Sequence, residues 1–328
     1  MSKLWLALVM VRDLLITPPV LLVILPLWFL PAGAAYRLAR FYGYCGYLVW
    51  GEGRRAGMIN LRRAYGAEMD YRRARDSVRK IFANLAQGIA EGLQFARRHA
   101  DAASGWETVY VSEDPELEWR MIKDPRPKVF VGGHLGSWEV AMMMVSLRTG
   151  AQGAVVARRV DNPFLNWFVR RVRQQYGAQW IEKRGASDAG LQWLEQGRSV
   201  AMLMDENGGW RGMFVDFFGR PASTRKSAAL LSLSTGAPIV VGAALRQESD
   251  PRFLYKLAVL EPADYRQSAD PVQRMTQDIV AIQEKWIRER PLQWRWIHWR
   301  WKTRPDRSEE RYTRRDLVEC FHQKAAPA

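Results

Sequence analysis

The sequence predicts an α/β fold: a mainly parallel central sheet flanked by helices, preceded by an N-terminal helical membrane-anchoring region. Three observations carry this. After Gly105 short apolar runs alternate with helical patterns, a long uncharged run lies near the N-terminus, and an amphipathic stretch joins the two. With 328 residues and 48% hydrophobic content, the chain can build one large core, or a core with a smaller helical appendage.

Between Asp13 and Arg37 no charged residue occurs, and LLITPPVLLVILPLWFLPAGAAY exceeds the roughly 20 residues that cross a bilayer core. Pro18, Pro19, Pro26 and Pro31 lie within it. Each proline removes a helical hydrogen bond, and in lipid a freed backbone group is costly. A broken span or re-entrant anchor over residues 1–50 is expected rather than a straight spanning helix, with a buried pair of soluble helices as the alternative. Lys3 and Arg12 before the run and the small residues Ala32 to Ala35 after it also suit a signal peptide. Asp13, the prolines and the lack of a disulfide framework oppose that reading. The only cysteines are Cys45 and Cys320, which fits a reducing compartment. Arg37, Arg40, Arg54, Arg55, Arg62 and Arg63 follow the run, and a basic flank reads as cytoplasmic.

Residues 51–104 form the helical lead-in. From Tyr71 to His99, Val78, Ile81, Phe82, Leu85, Ile89 and Leu93 recur at spacings of three and four, one face of a helix, with Arg and Lys opposite. Residues 105–305 form the α/β core. VYV near Val109, KVFV ending at Val131, GAVVA ending at Ala157, SVAMLM ending at Met204 and PIVVGAAL ending at Leu245 read as strands. Asn162 followed by Pro163 starts a helix that Gly177 stops, and Ser187 to Gly197 has the same grammar. Residues 306–328 are a charged tail with little apolar periodicity, expected to be loosely attached.

In such folds ligands bind outside the carboxyl ends of the strands. The loops there are GGHLGSWE after Val131, ARRVDNP with Arg158 and Arg159, and DENGGWRG after Met204. They hold nearly all the unusual polar chemistry. His134 and Glu139 are five residues apart, about 140° around a helix, so they could not meet if both were helical. His134 is therefore expected in the turn and Glu139 in the following helix. There a carboxylate could fix one imidazole nitrogen while the other accepts a proton from a hydroxyl. The same spacing equally fits a histidine capping a helix and a glutamate on its solvated face. Only four histidines occur and H-E-x-x-H is absent, so no metal is expected; GGHLGSWE lacks the Lys-Ser/Thr end of a triphosphate-binding loop. No other cofactor is indicated.

The net charge of +15 is spread along the chain and favours a polyanionic partner: nucleic acid, anionic lipid or an acidic carrier protein. The 15 tryptophans tilt this toward lipid. WRWIHWRWK interleaves rings and cations, which suits a membrane edge or a buried last strand.

GGHLGSWE, ARRVDNPFLNWFVRRVRQQYG, MDENGGWRGMFVDFFGRPAST and WIHWRWKTRP, in this order, resemble the late acyltransferases of lipid A biosynthesis, within the wider lysophospholipid acyltransferase superfamily. The likeness runs from Arg54 to Pro305. It implies an acyl-carrier-protein or coenzyme A thioester as donor, a lipid A precursor or similar phosphoglycolipid as acceptor, and action at the cytoplasmic face of the inner membrane. It implies His134 as base, Glu139 as its orienting partner, Arg173 facing the thioester carbonyl and Asp205 as the acidic residue after the next strand. Where the family usually has Gln or His after this Asp, Glu206 and Asn207 follow. Arg158, Arg159, Arg211, Arg225 and Lys226 are candidate substrate contacts, the last three for phosphate because an Arg fork matches its oxygens. Other lipid acceptors (phosphatidylinositol mannoside, lysophospholipid or aminolipid) stay open. So do two readings of other classes, a basic nucleic-acid-binding module and a noncatalytic membrane scaffold.

Overall fold

Strand residues whose side chains alternate between two covered faces set the architecture of this computed structural model, which describes residues 3–99, 108–148, 153–157, 161–174, 179–182 and 185–322. The strands are β1 (Tyr110–Ser112), β2 (Val129–Gly132), β3 (Ala154–Ala157), β4 (Gln179–Glu182), β5 (Val200–Leu203), β6 (Met213–Phe217), β7 (Arg220–Thr224), β8 (Ile239–Arg246) and β9 (Phe253–Leu260). Seven form one sheet in the order β1-β9-β8-β2-β5-β3-β4, and β6 pairs with β7 as a separate hairpin. From β8 to β4 all neighbours are parallel; β9 runs antiparallel to β8, and β1 follows β9. Val129, Val131 and Val241 face one apolar core while Phe130 and Val240 face the other, the period of two that a doubly covered sheet requires.

The helices are α1 (Lys3–Phe29), α2 (Ala32–Val49), α3 (Gly51–Tyr65), α4 (Tyr71–His99), α5 (Pro115–Lys123), α6 (Trp138–Arg148), α7 (Pro163–Gln174), α8 (Ala186–Glu195), α9 (Ser227–Thr235), α10 (Pro271–Glu289) and α11 (Arg314–His322). Asn162 caps α7 as expected: its Oδ1 accepts from the backbone N–H groups of Phe164 and Leu165, both at 3.0 Å. Gly177, the expected stop, lies outside the described residues. The foreseen strands appear as β1, β2, β3, β5 and β8, whereas β4, the β6–β7 hairpin and β9 were not foreseen.

At the N-terminus Pro18, Pro19 and Pro26 lie inside α1 instead of breaking it. Just before the first two, the Thr17 hydroxyl donates to Asp13 O at 2.6 Å, and Asn162 Nδ2 donates to the same oxygen at 3.2 Å, which ties this turn of α1 to the start of α7. The break comes at Pro31, where Gln94 Nε2 of α4 donates to Leu27 O at 2.5 Å and to Leu30 O at 3.1 Å. Leu27 packs with Ala39 of α2 and with Ala90 and Leu93 of α4. Among the described residues no helix is long and apolar enough to cross a membrane.

In α4 the residues Val78, Ile81, Phe82 and Leu93 are buried as their spacing predicts, but Ile89 is exposed. Small residues take the buried face there. A Cβ on Gly92 would lie 2.8 Å from Cβ of Glu139, so this glycine lets α6 approach α4. The C-terminal segment is also attached more firmly than its charge suggested. Leu317 and Phe321 of α11 pack against the core, Arg62 Nε donates to Cys320 O at 3.2 Å, and buried Tyr312 stacks on Trp299.

Candidate active site

β2 and β5 are adjacent parallel strands with Gly132 opposite Leu203, so the residues just beyond their carboxyl ends meet. His134 and Asp205 are those residues. His134 Nδ1 lies 2.9 Å from Asp205 Oδ1, and the His134 backbone N–H donates to Oδ2 at 2.7 Å. The indole N–H of Trp294 donates to the same Oδ2 at 2.8 Å. Asp205 is 3% exposed, and a carboxylate so placed would be costly without these three bonds.

The turn carrying His134 is held on both sides. Arg295 N donates to His134 O at 3.1 Å, Gly136 N to Gln293 O at 3.0 Å and Ser137 N to Ala244 O at 2.8 Å. Gly136 has φ +63°, and a Cβ there would lie 2.1 Å from Ala244 O. Only glycine fits. α6 begins at Trp138, which places Glu139 in its first turn.

Burial by itself would depress the His134 pKa, but the charge of Asp205 and its hydrogen bond outweigh burial and raise it above the ordinary 6.5. Burial likewise opposes ionisation of Asp205, and the His134 charge and hydrogen bonds hold its carboxyl far below the ordinary carboxylate range. An anionic Asp205 can only accept, so Nδ1 carries the proton in the neutral ring and Nε2 keeps its lone pair.

His134 and Glu139 line a cleft of about 650 Å³, together with Glu206, Arg211, Arg225 and Lys226. Arg211 and Lys226 are exposed and Arg225 is half-buried. Val169 of α7 forms part of the wall. Glu206, the departure from the family pattern, is paired: Arg295 Nη1 donates to its Oε1 at 2.9 Å. Burial opposes its ionisation, but the charges of His134 and Arg295 lower its pKa. Arg158 and Arg159 lie outside the described residues, and Arg173 falls in the last turn of α7 with its side chain outside them too. Among the described residues no group of three His, Cys, Asp or Glu side chains could hold a metal ion.

Trp294 is the site residue that motif reading missed. Its segment was read as suiting a membrane edge or a last strand, yet Trp294, Trp296 and Trp301 are all fully buried, outside any strand. Each ring removes about 200 Å² from water, on the order of 5 kcal/mol at about 25 cal/mol per Å², which decides for the core. A polar partner for the buried indole was the available signal.

Chemically, a carboxylate-steadied imidazole at the strand ends, opening on a cleft with basic residues, can do general-base work on an anionic substrate. A model of the bacterial lipid A biosynthesis acyltransferase family matches residues 13–303. A lipid A biosynthesis acyltransferase of Haemophilus influenzae is 27% identical over 184 residues, 54% of this chain and 56% of that protein. The chain thus spans about half the length of the curated relative it matches. It belongs to the bacterial lipid A biosynthesis acyltransferase family.

Proposed function

We propose that this protein transfers a fatty acyl group from an acyl thioester to a hydroxyl of a lipid A precursor, with His134 as general base. The observation that carries the reading is the bond from His134 Nδ1 to Asp205, which leaves Nε2 free at a cleft shared with Arg211, Arg225 and Lys226. Nε2 takes the proton of the acceptor hydroxyl as its oxygen attacks the thioester carbonyl carbon. The tetrahedral oxyanion collapses, the C–S bond breaks, and the leaving thiolate takes the proton from Nε2. An ester and a free thiol result, with no enzyme-bound acyl group.

Asp205 is assigned the orienting role. Glu139, the partner implied by the family motif, is a second carboxylate on the same cleft. Arg173 is assigned to the carbonyl oxygen, where a cation stabilises developing charge. Arg158 and Arg159 are kept as substrate contacts, and Arg211, Arg225 and Lys226 as phosphate contacts. The basic surface suits either polyanionic donor, an acidic carrier protein or coenzyme A. We place the work at the cytoplasmic face of the inner membrane, with the N-terminal helices as the anchoring region.

Mass spectrometry of lipids from cells with and without the protein tests the reading. A lipid A species heavier by one ester-linked acyl chain is expected only when the protein is present. Unchanged lipid A together with an acyl gain on another lipid would overturn it.

A further inference from the structure

The outer face of α7 carries a pattern that catalysis does not use. Phe164, Trp167 and Arg171 follow one another at spacings of three and four, with Arg170 beside them, so they share one stripe of the helix. Phe164 is 53% exposed and Trp167 68% exposed, and both arginines are exposed. Neither arginine forms an ion pair among the described residues. The opposite face is buried through Asn166 and Val172, and Val169 lines the His134 cleft.

We propose that this stripe is the surface through which the cleft docks on an anionic bilayer. Two aromatic rings and two cations share this face, and a helix lying in the interface plane buries such rings roughly 5–10 Å into the headgroup boundary while the long arginine side chains reach back to the phosphates. Rings at the acyl boundary would place the guanidinium groups at the phosphates. Helix α1 abuts α7, with Trp28 meeting Phe168 edge to face at 6.2 Å, and it carries exposed Leu22 and Phe29 of its own. The net charge of +15 has the sign an anionic surface requires. An acidic carrier protein or a second copy of the chain would match the arginines but leave the exposed rings of Phe164 and Trp167, and the exposed Leu22 and Phe29 of α1, without a role.

The site thereby receives its acceptor from the side, since α7 is at once the docking surface and a wall of the cleft. This consequence rests on the cleft being catalytic; the docking itself does not. The full chain with Cys45→Ser and Cys320→Ser, labelled with a fluorophore at Trp167→Cys, is mixed with vesicles of phosphatidylethanolamine and phosphatidylglycerol containing brominated acyl chains. Quenching of the label is expected, and an unquenched label overturns the proposal. In parallel, Phe164→Ser with Trp167→Ser should weaken vesicle binding about tenfold or more. Arg170→Gln with Arg171→Gln should weaken it about fivefold per arginine on anionic vesicles and hardly at all on phosphatidylcholine vesicles. Full vesicle binding by both pairs, with lost affinity for carrier protein or loss of self-association instead, would give the surface to that other partner. The same measurements on His134→Ala give the same result whether or not the cleft is catalytic, so the two readings fail separately.

Discussion

Asp205 and His134 set each other's charge, and the consequence is a pH dependence of definite sign. The His134 pKa is raised, so the pair's contribution to stability is fully present below the ordinary 6.5 and is lost as pH rises through the higher folded value. Activity runs the other way, because a base must be neutral: kcat/KM should fall as pH drops through an apparent pKa above 6.5. Asp205→Asn removes the charge that opposes burial, so this limb should move to lower pH while kcat falls by about 10²- to 10⁴-fold. If Glu139→Gln moves the limb and Asp205→Asn does not, the orienting role belongs to Glu139. Trp294→Phe keeps most of the packing and removes one donor from Oδ2. It should cost about 1–3 kcal/mol of stability, read by denaturant titration, and move the acidic limb upward because Asp205 becomes more basic. An unmoved limb would leave Trp294 a packing role alone. Of this constellation His134 was legible from its position after an apolar strand and two glycines. That its ring nitrogen bonds Asp205 was not, because the pairing depends on β2 and β5 being neighbours although 71 residues separate the two side chains.

At the scale of elements, the turn between β2 and α6 is where backbone conformation and chemistry coincide. Gly136→Ala adds a Cβ against Ala244 O in a left-handed turn, and both effects oppose the fold. A loss of about 3 kcal/mol or more is expected in thermal or denaturant unfolding, with activity falling even where the variant is folded. Wild-type stability would show that the turn is not held as described. Of the strands that were legible, β2, β3, β5 and β8 are continuous apolar runs inside the sheet, and β1 is a short apolar run at its edge. Those that were not have specific physical reasons. β7 reads RPAST, in a separate two-stranded hairpin, and its Ser223 and Thr224 are buried polar residues satisfied by hydrogen bonds: Ser223 Oγ donates to Gly209 O and Arg300 Nη2 donates to Thr224 Oγ1, both at 2.6 Å. β9 contains Lys256, whose Nζ pairs with Glu289 at 2.5 Å and Glu113 at 2.8 Å, a satisfied cation that a hydropathy pattern registers as a break. β4 reads QWIE, an edge strand with a polar residue at each end and too few apolar residues to register as a run. In α11 the spacing of Leu317 and Phe321 was present, but one short helix cannot outweigh the charge around it.

For the whole molecule, the proposed reaction asks one cleft to serve a lipid acceptor and an acyl donor together. The apolar N-terminal run was visible in the sequence, but its packing was not: Pro18, Pro19 and Pro26 sit within α1, and the chain breaks only at Pro31, where Gln94 of α4 donates to Leu27 O. In the proposed reaction His134 takes the acceptor's proton. Single-turnover transfer from a labelled acyl thioester to a vesicle-borne lipid A precursor, comparing wild type with His134→Ala at equal vesicle occupancy, tests it most directly. A fall of about 10³-fold or more with binding unchanged is expected. Near-normal transfer by His134→Ala would contradict it.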